Sequence, residues 1–139
     1  MPSGTLAIRE VRDHPREPIQ AASGDGAITL PVVVVVNGGT AGPAELFSAA
    51  LAGNKRAELV GERTAGRATL QKLVPLPDGT AMLLSNAWFL SPAGDQIAEK
   101  GLVPGVEIEE PDVEFGAPAP ANDPVLQKAI ERAGSKSVG

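Results

Sequence analysis

With 139 residues and an apolar fraction of 42%, the chain suffices for one domain, or part of one, with a core of its own. A net charge of −5 argues against nucleic acid as a partner, because phosphate binding needs clustered Lys and Arg, and no run of about 20 apolar residues is available to span a membrane. The absence of cysteine excludes disulfides, thiol catalysis and thiolate metal sites, and leaves the compartment open.

Aromatic residues are scarce (Trp88, Phe47, Phe89, Phe115), so the core must come from Val, Leu, Ile and Ala, which suits a buried α/β sheet. Met1 to Thr5 lacks a charged region followed by an apolar run, so no signal peptide is expected there. Thr5 to Arg12 alternates and predicts a strand, with Leu6, Ile8 and Val11 toward a core and Arg9, Glu10 and Arg12 toward water. Two prolines make Asp13 to Pro18 a loop, and a second short strand near Ile19 to Ala22 runs into the turn signal Ser23-Gly24-Asp25-Gly26. Pro31 opens the unbroken run Val32 to Val36. Five β-branched residues disfavour helix, and a run with no polar face predicts a strand covered on both sides, as in parallel sheets.

That strand stops at Asn37-Gly38-Gly39. Pro43 fits the first position of a helix, where its missing N–H is no loss, which places Gly42 at the cap. Leu46, Phe47, Ala50 and Leu51 form the predicted apolar face, and Gly53-Asn54 ends the helix. Strand, glycine turn and helix is the arrangement by which α/β enzymes present a reactive group. Ala57 to Val60 is the next predicted strand and completes a βαβ unit. Leu70 to Leu76 and Ala81 to Leu90 flank the hairpin signal Pro77-Asp78-Gly79, Ser91 to Gly94 is a turn, and Val106 to Ile108 is a short last strand. Residues 1–110 thus form the core, 111–122 read as a Pro/Ala-rich linker, and 123–134 as an amphipathic helix capped at Asp123, with Val125, Leu126, Ala129 and Ile130 on one side.

Taken one by one, most polar residues have plain structural readings. Gly38-Gly39 lacks the Lys-Ser/Thr of a phosphate loop and reads as a tight turn. His14, the one histidine, sits in a proline loop. Glu45 reads as a first-turn residue favoured by the helix dipole, Glu62 as a turn residue, and Trp88 as core or rim packing. The acidic run Glu107, Glu109, Glu110, Asp112 and Glu114 reads as a solvated face, with no metal or cofactor expected.

One constellation goes further. Val32 to Asn37, Gly39-Thr40-Ala41-Gly42-Pro43-Ala44-Glu45, Arg56-Ala57, Val60-Gly61, Thr64-Ala65-Gly66-Arg67 and Gln71 follow one another in order and spacing. Leu83 to Leu90, Ser91 to Gly94, Ile97 and Gly101-Leu102-Val103-Pro104 continue the series. Over about Pro31 to Ile108 the chain resembles the later part of the catalytic core of the C-terminal processing (tail-specific) peptidases. The resemblance implies an α/β fold, a partial Clp/crotonase-like spiral ββα core. It also implies that a PDZ-like segment and a glycine-rich strand end belong before such a stretch, and it suggests an extracytoplasmic or periplasmic setting.

In that family the middle Ser of Ser-Ala-Ser-Ala-Ser attacks the peptide, a Lys is its general base and a Gln orients the Lys. A hydroxyl attacks only when a base takes its proton, and a buried Lys serves when its pKa falls far enough. The oxyanion then needs backbone N–H donors. By the resemblance, the nucleophile position here is Gly42, which has no side chain, and the base position is Arg67, whose guanidinium does not deprotonate. The donor after the nucleophile is Pro43, which has no N–H. Gln71 alone matches. Thr40 is the possible substitute nucleophile, whereas Lys72, next to Gln71 on a strand, faces away unless a bulge intervenes.

The expectation is a degenerate serine-peptidase-like domain, catalytically inactive and retained for peptide binding or assembly, with protein or peptide C-termini as partners. Self-association, or a partner covering surface left by a missing N-terminal half, is expected as well. Two alternatives stand beside it. One is an active serine-type endopeptidase of the same family. The other is an apolar-ligand (retinoid or fatty-acid type) module, because Thr40-Ala41, Ala44-Glu45 and Thr64-Ala65-Gly66 also resemble interphotoreceptor retinoid-binding protein repeats.

Overall fold

Restricted side-chain rotation holds Val32–Val36 extended, and this run is the third strand of a computed structural model that describes residues 3–24, 29–111 and 122–135. In chain order the elements are β1 (Thr5–Glu10), β2 (Glu17–Gln20), β3 (Val32–Val36), α1 (Pro43–Gly53), β4 (Ala57–Gly61), β5 (Thr69–Pro75), β6 (Ala81–Leu90), β7 (Val106–Glu107) and α2 (Pro124–Ser135). They make a parallel three-stranded sheet, β3-β4-β7, and an antiparallel four-stranded sheet, β2-β1-β6-β5. The α/β class and the βαβ unit follow the sequence: β3 and β4 run parallel with Val34 opposite Leu59, joined through α1. The hairpin β5–β6 turns at Pro77 to Gly79, where Asp78 accepts hydrogen bonds from the Thr80 N–H and hydroxyl. Those two donors hold the Asp78 carboxyl below its ordinary pKa.

Three expectations about burial, in β3, β1 and α1, are corrected, and a fourth in α2 follows below. The valine run is not covered on both sides. Among the described residues β3 is an edge strand with only β4 beside it, and of its last two residues Val36 is buried on one face while Val35 on the other remains 50% exposed. In β1 the buried residue is Ala7, whereas Leu6 and Ile8 are half-buried, and the element packed against this strand from outside its sheet is helix α1. In α1 the inward side is Glu45, Ser48, Ala49 and Ala50, while Phe47 is 63% exposed. Two residues of helix turn a side chain by about 200°, so a helix that brings Glu45 inside must put Phe47 outside. The small inward residues let α1 lie close on β1 and β4, and the Ser48 hydroxyl satisfies itself on the Ala44 carbonyl at 2.8 Å.

The sheets are joined through α1 and loops rather than by stacking strand on strand. Ala49, Ala68 and Ile97 form a small core that Leu46, Phe89 and Leu102 flank. Helix α2 packs on β3 and β4 by Val125 and Ala129. Asp123 caps it, accepting from the Val125 and Leu126 N–H groups. Arg132 grips Glu58 through two bonds of 3.1 and 2.7 Å, which raises the guanidinium pKa further. Leu126 and Ile130 do not join the buried side as expected; they lie a step around the helix and stay exposed. The linker reading falls on residues of which 112–121 lie outside the described part. Among the described residues, no helix is long and apolar enough to cross a membrane.

Candidate functional site

The site begins where β3 ends. Asn37 closes a turn by three bonds: its Oδ1 accepts from the Gly39 N–H, its carbonyl from the Thr40 N–H, and its own N–H donates to Thr40 Oγ1. The Thr40 hydroxyl is therefore engaged with the turn that precedes it. Two residues later the backbone at Gly42 adopts φ +57° and ψ −120°, and Pro43 starts the helix. For an L-residue this left-handed conformation is strained, and it occurs where sharp strand-to-helix turns present a nucleophile. Here the turn presents hydrogen. A Cβ at this position would meet nothing nearer than the Arg67 carbonyl oxygen at 3.8 Å, so the space is open.

Beneath Gly42 lies the centre of the site, the fully buried carboxylate of Glu45. Its Oε2 accepts from the Gly42 N–H at 2.9 Å and the Arg67 N–H at 2.7 Å. Its Oε1 accepts from the Gly66 N–H at 2.7 Å and from the Thr64 hydroxyl, which in turn accepts from the Leu102 N–H at 2.8 Å. Burying a carboxylate is costly unless donors surround it, and this one has four. The effect is geometric. One side chain on the first turn of α1 fixes residues 64–67 against the helix start, and Thr64 passes the connection on to Leu102. The packing here admits no side chain at Gly101, whose φ is +70° and where a Cβ would lie 2.2 Å from the Thr64 carbonyl oxygen.

Gly42 and Arg67 are thus neighbours, as the motif order implies. Arg67 itself is exposed, its backbone N–H held by Glu45. Gln71 is exposed on β5 opposite Ser85, just after the register shift at Leu70/Gln71. That irregularity precedes Gln71, so Gln71 and Lys72 still alternate across the strand. His14 is exposed in the loop after β1, away from this constellation. Glu62 and Glu110 meet at the ends of the parallel strands: the Glu110 N–H donates to Glu62 at 2.7 Å, and Asn37 donates to Glu110 at 2.9 Å. They belong to an open groove of about 900 Å³ that also takes in Arg63, Glu107 and Glu109. Among the described residues, no group of three or more His, Cys, Asp or Glu is placed to hold a metal ion.

Reading Glu45 as a helix-dipole residue missed its role. The local half was legible, since Glu at the third helical position reaches back to the cap N–H in a capping box. The other half was not, because Thr64, Gly66 and Arg67 come from a loop some 20 residues further on.

Comparison with known proteins matches residues 1–108 to peptidase family S41. The carboxyl-terminal-processing protease of Synechocystis sp. is 33% identical over 131 residues, 94% of this chain and 30% of that protein. The chloroplastic carboxyl-terminal-processing peptidase 3 of Arabidopsis thaliana is 37% identical over 103 residues, 74% of this chain and 20% of that protein. Among solved structures, the photosystem II D1 C-terminal processing protease superposes with a TM-score of 0.71 at 32% identity, over 78% of this chain and 28% of that one. The chain therefore spans less than a third of the length of these relatives.

Proposed function

The chain belongs to peptidase family S41, and from that premise we propose that it is a degenerate C-terminal-processing-peptidase-like domain, catalytically silent and retained for peptide binding and assembly. One observation carries this reading. The strained turn that would present a nucleophile is intact and well supported, yet it holds Gly42, followed by Pro43 and bordered by the backbone of Arg67. Acyl transfer needs a hydroxyl, a base that deprotonates and an N–H for the oxyanion. Glycine, arginine and proline supply none of the three at these positions. Thr40 is a weak replacement, because its hydroxyl is bound into the Asn37 turn. Gln71 without a Lys to orient has no catalytic task.

The peptide-binding part rests on Arg67, an exposed permanent cation whose backbone carbonyl borders the open space at Gly42 and whose side chain is of the type that pairs with a carboxylate. An apolar-ligand role is disfavoured by the groove itself, where Glu62, Glu107, Glu109 and Glu110 would be stripped of water by a hydrocarbon.

Two measurements on the purified chain test catalytic silence: labelling by a fluorophosphonate probe, and hydrolysis of an unstructured protein such as casein. The expected outcome is neither. Labelling of any Ser or Thr, or hydrolysis abolished by Thr40→Ala, would overturn the reading.

A further inference from the structure

Asn37 is the one asparagine of the chain that a glycine follows; Asn54, Asn86 and Asn122 precede Lys55, Ala87 and Asp123. The pairing matters because a bond from the Gly38 nitrogen to the Asn37 Cγ would close a small, unstrained ring. A Cβ on the following residue crowds that approach and narrows the backbone conformations that allow it, and glycine has none.

The fold holds the reacting groups on one side of the chain. The Gly39 N–H donates to Asn37 Oδ1 at 3.0 Å. The loop of atoms which this bond closes already contains Cγ, Cβ, Cα and the carbonyl carbon of Asn37 together with the Gly38 nitrogen, all the members of that ring. The side chain is therefore folded back over the Gly38 peptide. The Thr40 hydroxyl reaches the same Oδ1 at 3.5 Å. Two donors thus converge on the atom that takes up negative charge when a nitrogen adds to an amide carbon, as in an oxyanion hole. The approach is open: Gly38 is exposed, nothing lies within 4 Å of where its Cβ would stand, and among the described residues its N–H has no hydrogen-bond partner. Asn54 lacks this arrangement. Its Nδ2 donates to the Thr5 and Ala50 carbonyls, and the nitrogen after it, that of Lys55, donates to the Ala52 carbonyl.

We propose that Asn37 is a self-modifying site, whose side-chain amide is lost as ammonia to give a succinimide that opens to aspartate or isoaspartate. The Gly38 nitrogen gives its proton to water or hydroxide and bonds to Cγ. The Cγ–Nδ2 bond then breaks, and Nδ2 leaves as ammonia with a proton taken back from solvent. Water adds to one of the two ring carbonyls and reopens the ring, so no oxidant or reductant takes part. The product changes what the turn holds. At present Nδ2 donates to Glu110 at 2.9 Å, and the Glu110 N–H donates to Glu62 at 2.7 Å. A carboxylate in place of the amide confronts Glu110 with like charge and no donor, where the segment after β7 is tied to the ends of β3 and β4. The isoaspartate form also adds a carbon to the main chain between Asn37 and Thr40, in the turn that leads to Gly42. This chemistry is independent of whether the domain is catalytically silent.

The test is incubation of the full, folded chain in warm, mildly alkaline buffer, with peptide mass spectrometry reading each asparagine and hydroxylamine added to trap the succinimide. Asn37 should convert at least about tenfold faster than Asn54, Asn86 or Asn122, with a hydroxamate at position 37 and isoaspartate among the products. Gly38→Ala, which has space for its methyl and no left-handed φ to strain, should fold as the parent does and slow the conversion about tenfold. Asn37→Asp, standing for one product, should lower the urea midpoint, and adding Glu110→Gln should restore it, because the new amide donates to the carboxylate. Conversion no faster at 37 than at the other three asparagines would overturn the proposal. So would conversion confined to the urea-unfolded chain, which would mean that the turn protects the amide. An Asn37→Asp midpoint equal to the parent's, or one that Glu110→Gln fails to restore, would overturn the consequence drawn for Glu110.

Discussion

Replacing Glu45 with glutamine changes almost no volume and tests whether four converging donors, rather than the helix dipole, explain this residue. Each carboxylate oxygen accepts two bonds. If the new amide nitrogen takes the Oε2 place, it confronts the N–H groups of Gly42 and Arg67, neither of which can turn away. In the Oε1 place it confronts the Gly66 N–H and the Thr64 hydroxyl, and the hydroxyl can rotate to accept instead. The second arrangement is the cheaper and still orphans one fixed buried donor, which costs about 1–3 kcal/mol. Glu45→Ala orphans all four donors and opens a cavity. At about the same figure per donor, the sum approaches the whole stability of a small domain, about 5–15 kcal/mol. Urea titration followed by circular dichroism reads the difference. With a slope of about 1–3 kcal/mol/M, the glutamine variant should lose on the order of 1 M in midpoint at unchanged slope, and the alanine variant should fail to reach the native baseline. In the dipole reading the glutamine variant loses about 0.3–1 kcal/mol. A midpoint within experimental scatter of the parent, with Glu45→Ala still folded, would refute the reasoning.

Gly42→Ala and Gly101→Ala separate backbone strain from crowding. The first has open space and should cost only the left-handed conformation, about 1–3 kcal/mol, whereas the second adds a collision with the Thr64 backbone and should cost more on the same titration. Introducing a hydroxyl alone, by Gly42→Ser, should give no hydrolysis of casein, because Arg67 and Pro43 remain. Asp78→Ala should loosen the hairpin turn in a pH-dependent way. Because the folded state lowers this pKa, the stabilisation is present above about 3.9, the unfolded value, and is lost as pH falls through the lower folded one. The gap in urea midpoint between variant and parent should therefore exist at pH 6 and close in strong acid. Arg132→Met should speed amide exchange in α2, since that residue ties the helix to Glu58.

The elements were legible where local chemistry decides them. Five β-branched residues, a proline at the first helical position and a Pro-Asp-Gly turn each admit few conformations, and β3, α1 and the β5–β6 hairpin follow. Burial was less legible, because it depends on what lies beside an element. A strand of five valines reads as central, yet here it is an edge with Val35 in water. The face of α1 was misjudged for a related reason. Counting apolar residues favoured Leu46, Phe47 and Leu51, while the donors at Thr64, Gly66 and Arg67 drew a carboxylate inward and turned Phe47 out.

On the proposed reading of a silent domain, the same carboxylate offers a way for a reaction centre to go while its frame persists. None of the bonds that hold the turn passes through the side chain at residue 42. Glu45 contacts the Gly42 backbone N–H, which every residue but proline supplies, and it contacts Gly66 and Arg67 through their backbone as well. Replacing a serine by glycine at position 42 would break no bond of this network and would relieve a strained φ, so stability would favour the change once catalysis was no longer required. Replacing a lysine by arginine at 67 likewise leaves the N–H that Glu45 needs. Selection on folding would therefore act on Glu45, Thr64 and Gly101, and would be blind or favourable to changes of this kind at 42 and 67. The expected consequence is a ranking: variants at Glu45 and Gly101 should unfold the chain, whereas Arg67→Lys should leave its urea midpoint where it stands. A large loss of stability in Arg67→Lys would show that the guanidinium carries structure, and would break the separation between frame and chemistry.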